Sequence, residues 1–221
     1  MPTLVDLLER VSFLAAMPAV AGILFTAGLL VVSRDWHLNV MALTLQYFFV
    51  VLLLTRLIRL EVAAVKGLIG WMICMVLYLT ERRADMLKQS LGTEDSPAAR
   101  RRRRWVMSAR ASFCLLAALL ISVAAYTAAL RLPLPEVPTD ISLACYLLAG
   151  LGLLVIGLSD APMQVGMGLL TFMSGFDLFY VALEPSLAVA GLLGAVSFLI
   201  ALATAYLRVA QVAARGAGRT L

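Results

Sequence analysis

Seven apolar runs, each 19 to 23 residues long and bounded by charges, leave this chain few ways to fold. They are 11–33, 36–55, 62–80, 111–130, 141–159, 161–183 and 185–207. A helix needs roughly 20 predominantly apolar residues to cross about 30 Å of hydrocarbon. None of the runs alternates with period two as a barrel strand would, so helices are the expected way to satisfy the backbone inside lipid. Composition agrees: 62% of residues are hydrophobic and 14% charged, against about 25% charged in a soluble domain. The expectation is an all-α, polytopic membrane protein with seven transmembrane helices. The first run lacks a basic leader and a small-residue cleavage site, so it reads as a span and not as a signal peptide. Pro18 within it is tolerated in a membrane helix.

The chain is poorly provisioned for metal or covalent chemistry. There is one histidine, His37, and the three cysteines Cys74, Cys114 and Cys145 sit in separate runs. No CxxC pair or His/Cys cluster offers ligand spacing for zinc, haem or iron–sulfur. No cofactor, metal or catalytic residue is therefore expected of this chain.

Basic residues set the orientation. Arg82, Arg83, Lys88, the run 100–104 and Arg110 fall between the third and fourth spans, and Arg34, Arg208, Arg215 and Arg219 share that side. The opposite side holds only Arg10, Arg56, Arg59 and Arg131. Residues 81–110 and the C-terminus are thus expected in the cytoplasm and the N-terminus outside. The arginine run has one aromatic neighbour, Trp105, and no folded domain to present it. It reads as a loop facing lipid headgroups, not as a nucleic-acid site.

An offset of 125 residues aligns Asp35 with Asp160, Val40 with Val165 and Arg83 with Arg208 without a gap. The expected organisation is a three-helix membrane unit (1–83), a basic cytoplasmic loop (84–110), a linking helix with an external loop (111–140), and a second three-helix unit with a short tail (141–221). A parallel duplication of this kind has precedents among transporters.

A three-helix unit with a short turn after its first helix resembles the K-type subunit of respiratory complex I and the C-type subunit of Mrp antiporters. The duplicated form with an extra linking helix and the proline-bearing connection 132–137 (LPLPEV) is similar to the E-type membrane subunit of energy-converting (group 4) hydrogenases. The resemblance covers nearly the whole chain. It places Gln46 at the mid-helix glutamine of that family, Lys66 near its lysine in the third helix, and Ser174, with Asp177 a turn further on, at its acidic position. The usual Arg-Asn after the first helix is Arg34-Asp35 here, and the paired glutamates of the K-type subunit are absent. What the resemblance implies is an accessory, non-catalytic subunit of a redox-driven proton- or cation-translocating oxidoreductase complex in a bacterial or archaeal cytoplasmic membrane. Its partners would be large antiporter-like subunits and a peripheral redox arm, which would carry any iron–sulfur centres. A stand-alone small transporter or channel, or a purely structural scaffold, is the alternative.

Five polar residues in or beside the spans are the candidate ion-path or inter-subunit groups: Lys66, Asp177, Gln46, Ser174 and Glu61. A charge at the bilayer centre costs on the order of 3 kcal/mol, so Lys66 and Asp177 should face protein or water. Lys66 could also snorkel outward, being about 7 Å along the helix from Glu61. Asp177 is too short to do so. They lie in the third and sixth spans, and no pairing between them is assumed. Gln46 could simply bond a neighbouring helix, and Glu61 reads as part of an interfacial cluster with Arg56 and Arg59. His37 beside Trp36 reads as a headgroup-level residue. Glycines at 150, 152, 157, 166 and 168 read as packing positions, inside the protein or against a partner.

Overall fold

The computed structural model describes residues 4–33, 35–58, 60–90, 97–132, 137–183 and 186–217, with side chains from Met17 onward except at 60–61, 88–90, 97–110, 187 and 215–217. Seven helices account for nearly all of this: α1 Leu4–Val32, α2 Trp36–Leu54, α3 Leu60–Ser90, α4 Pro97–Arg131, α5 Thr139–Leu158, α6 Pro162–Leu183 and α7 Leu187–Ala217. No strand occurs among the described residues. Six helices are long and apolar enough to span a membrane, within Trp36–Leu54, Val62–Leu87, Ala111–Arg131, Thr139–Leu158, Pro162–Leu183 and Ala188–Ala214. In α1 the described apolar stretch is Met17–Val32.

Segment 84–110, expected as a loop with a partly helical stretch, is helical over its described residues, 84–90 and 97–110. α3 runs on to Ser90 and α4 starts at Pro97, so both helices extend past their apolar windows. The physical reason is in the residues themselves: 81–90 (ERRADMLKQS) holds no glycine or proline and is rich in good helix formers. A proline is well placed in the first turn of α4, where its missing N–H costs nothing.

Neighbouring helices trace a closed ring in the order α1, α2, α3, α7, α6, α5, with α2 also touching α6 across the middle and α4 packed outside against α5 and α1. Each helix of the first half thereby abuts its counterpart at the 125-residue offset: α1 meets α5, α2 meets α6, and α3 meets α7. The two central helices also bury matching faces. Ala42, Leu43, Gln46, Val50 and Leu53 of α2 correspond by that offset to Met167, Gly168, Thr171, Gly175 and Leu178 of α6, and all ten are buried.

Lipid is as apolar as leucine, so helices in a bilayer associate through close packing and polar contacts. The α5–α6 contact uses the first device. A Cβ at Gly152 would stand 2.6 Å from the Phe172 backbone nitrogen, and one at Gly175 would stand 2.8 Å from Leu148 Cβ. Only a hydrogen allows backbones so near. Gly166 makes room for Thr204 of α7, and Gly150 for Ile121 of α4, whereas Gly157 faces open space. Two apolar clusters fill the ring, one around Ile23, Leu53, Ile141 and Leu178, the other around Leu43, Ile73, Leu77 and Leu170.

Candidate functional site: a polar seam inside the bundle

Polar groups that the helical period turns inward collect along α3 and between α2 and α6. Lys66 of α3, 8% exposed, forms an ion pair with Asp177 of α6, 17% exposed. The two charges kept separate on sequence grounds therefore satisfy one another. The geometry explains why: the α3 backbone beside Lys66 is thinned by Gly67 and Gly70, which face Val51 and the Tyr47 ring of α2. α3 and α2 come close there, and the lysine is directed inward toward α6 instead of snorkelling to an interface.

Tyr47 lies beside Ser174 of α6, with Asp177 and Cys74 close by. Its hydroxyl is buried and has no hydrogen-bond partner. Ser174 donates to the Leu170 carbonyl of its own helix at 2.8 Å, leaving its oxygen lone pairs free to accept. Gln46, one residue before Tyr47, is 1% exposed, and neither its amide nitrogen nor its amide oxygen is bonded. Buried polar atoms are normally satisfied, so the unbonded Gln46 amide and Tyr47 hydroxyl mark a polar stretch of the α2 interior that could hold internal water. Gln46 thus lies inside the ring, unbonded, and not in the simple helix–helix hydrogen bond its sequence suggests. A cavity of about 260 Å³ between α2 and α3, lined by Thr44, Tyr47, Gly67, Gly70 and Cys74 among others, leads from Tyr47 toward the exposed rings of Phe48 and Trp71.

A second ion pair was missed in the sequence. Glu81 of α3, 1% exposed, receives two hydrogen bonds from Arg208 of α7, Nε to Oε1 at 2.8 Å and Nη2 to Oε2 at 3.2 Å. Arg208 also donates to Gln211 at 3.3 Å. Glu81 closed the apolar run 62–80 on its cytoplasmic side, and Arg208 entered only as a topology-setting charge and as the match of Arg83. The available signal was helical continuity: Glu81 follows Lys66 by 15 residues with no helix breaker beyond Gly70, about 22 Å along one helix.

A third feature closes the α1–α2 turn. The Ser33 carbonyl accepts from Asn39 Nδ2 at 3.3 Å and, at a long 3.5 Å, from Gln164 Nε2 of α6. Asn39 and Gln164 are themselves separated by 125 residues.

The remaining candidates lie elsewhere. Arg56 approaches Asp140 in the first turn of α5, with 4.0 Å between Nη1 and Oδ2. Arg59 and the Glu61 side chain are outside the described residues. His37 is exposed and stacks on Trp36, ring centroids 3.5 Å apart. Among the described residues no three of His, Cys, Asp and Glu come together as a metal site would require.

Comparison of the chain with protein-family models, curated proteins and solved structures finds no match.

Proposed function

We propose that this chain is an accessory integral membrane subunit of a redox-driven, proton- or cation-translocating complex of the complex I, group 4 hydrogenase and Mrp type. On this reading it packs between antiporter-like subunits of a bacterial or archaeal cytoplasmic membrane. Redox centres belong to partner subunits, and this subunit is non-catalytic.

The observation that carries the reading is the Lys66–Asp177 ion pair inside a bundle of membrane-length helices. A scaffold that needed only packing would do as well with apolar residues, since a buried ion pair is often no more stabilising than a hydrophobic replacement. A pair that responds to charge is useful where an ion passes. Protonating Asp177 cancels the attraction that holds the Lys66 ammonium, and the buried Tyr47 hydroxyl lies close to that carboxylate.

The topology belongs to the same proposal: seven spans, the N-terminus outside, the C-terminus and residues 81–110 inside, and two three-helix units of common origin. The matching buried faces of α2 and α6 and the Asn39/Gln164 correspondence support the duplication.

Two experiments test the reading. Native purification with mass spectrometry of the partners should recover large multi-span subunits and iron–sulfur proteins; a homo-oligomer alone would favour a stand-alone transporter. Asp177→Asn and Lys66→Met in the intact complex, scored separately for assembly and for ion pumping, should lose pumping while assembly persists. Normal pumping in both variants would refute an ion-path role.

A further inference from the structure

A second cavity opens on the outside of the bundle and shares Thr44, Phe48, Trp71 and Cys74 with the cavity beside Tyr47. It is a groove of about 680 Å³ between α1, α2 and α3, floored by Thr26, Ala42 and Cys74 and flanked by Phe25, Met41, Phe48 and Trp71. Its lining is almost wholly apolar, and its volume falls within the range of about 300–1,000 Å³ usual for ligand sites. Along α2 it extends from Leu38 to Phe48, ten residues or about 15 Å parallel to the helix axes. That is half of the roughly 30 Å hydrocarbon thickness, the depth of one leaflet.

The two ends differ in chemistry. The inner end stops mid-membrane at Phe48 and Trp71. The end nearer the α1–α2 turn reaches Leu38 and Tyr78, where Trp36 stacks on His37 and lies 5.8 Å from the Tyr78 ring. Aromatic residues of this kind gather at headgroup level. One turn beyond Tyr78, on the same face of α3, is Arg82, exposed to solvent. Guanidinium groups favour phosphate oxygens. An apolar slot of single-leaflet length that ends in an aromatic cluster and a cation has the charge and polarity profile of one phospholipid.

From this we infer that the α1–α2–α3 groove is a binding site for a single anionic phospholipid, with an acyl chain in the slot and its phosphate at Arg82 and the Trp36–His37–Tyr78 cluster. The site is independent of the ion-path proposal.

The test is native mass spectrometry of the protein from mild detergent after equilibration with an equimolar mixture of phosphatidylglycerol and phosphatidylcholine. The wild type should retain one lipid, with phosphatidylglycerol preferred roughly tenfold. Thr44→Phe, which places a ring in the slot, should abolish retention of either lipid. Leu116→Phe, on the outer face of α4, should leave retention unchanged and controls for a general effect of added bulk. Arg82→Gln should keep one lipid bound but lose the preference for the anionic one. Wild-type protein stripped bare, undiminished retention in Thr44→Phe, or an unchanged preference in Arg82→Gln would each overturn the assignment. A second polypeptide held in place of lipid and lost in Thr44→Phe would also overturn it, in favour of a partner helix.

Discussion

Asp177 and Lys66 show how burial turns two separate costs into one interaction. Each charge alone in hydrocarbon would cost on the order of 3 kcal/mol, and each offsets part of the other's penalty. Removing one partner strands the other, so Asp177→Leu alone should destabilise the protein by about 3–5 kcal/mol. The double change Asp177→Leu with Lys66→Met should recover most of that loss. Unfolding in mixed micelles with increasing SDS measures both, and equal losses in the single and double variants would contradict a direct pair. Glu81→Leu should behave in the same way through Arg208, at about 3 kcal/mol, and be rescued by Arg208→Met. The candidate residues Lys66, Asp177, Gln46 and Ser174 were legible because any polar side chain stands out in an apolar run. Their pairing was not, because it depends on which helices become neighbours, and α3 and α6 are not consecutive. Tyr47 went unnoticed for a related reason: a tyrosine in a membrane span is unexceptional until its hydroxyl proves to be buried and unbonded.

Among the helices, α5 and α6 form the contact least tolerant of added volume. Gly152→Val should destabilise the bundle by about 1–3 kcal/mol, because the new atoms meet the Phe172 backbone and not a side chain that could turn away. Gly157→Ala, facing open space, should be neutral or mildly stabilising through helix propensity. Thermal denaturation of the two purified variants, followed by circular dichroism, separates these outcomes. The glycines at 150, 152, 166 and 168 read correctly from the sequence as packing positions. Gly157 meets no neighbour within this chain, and a glycine looks the same in sequence whether or not a neighbour presses on it. Helix ends were the least legible part. Hydropathy marks where lipid begins and ends, while the α-helix of α3 continues as long as its residues favour it, to Ser90.

At the level of the whole molecule, the distribution of basic residues remains the strongest handle. Reporter fusions after Arg110 and after Asp140 should give cytoplasmic and external signals respectively; the same side for both would exclude seven alternating spans. The 125-residue offset did not reveal that α1 would meet α5, α2 meet α6 and α3 meet α7, because an offset says nothing about neighbours. That arrangement also has a consequence in time. The partners of Lys66 and Glu81 lie 111 and 127 residues further along the chain. At a synthesis rate of about 5–20 residues per second, α3 spends roughly 6–22 seconds with both charges unanswered. A nascent chain halted before α6 would carry an exposed lysine and glutamate in one apolar helix, a mark by which a membrane protease or chaperone could tell an unfinished molecule from a finished one.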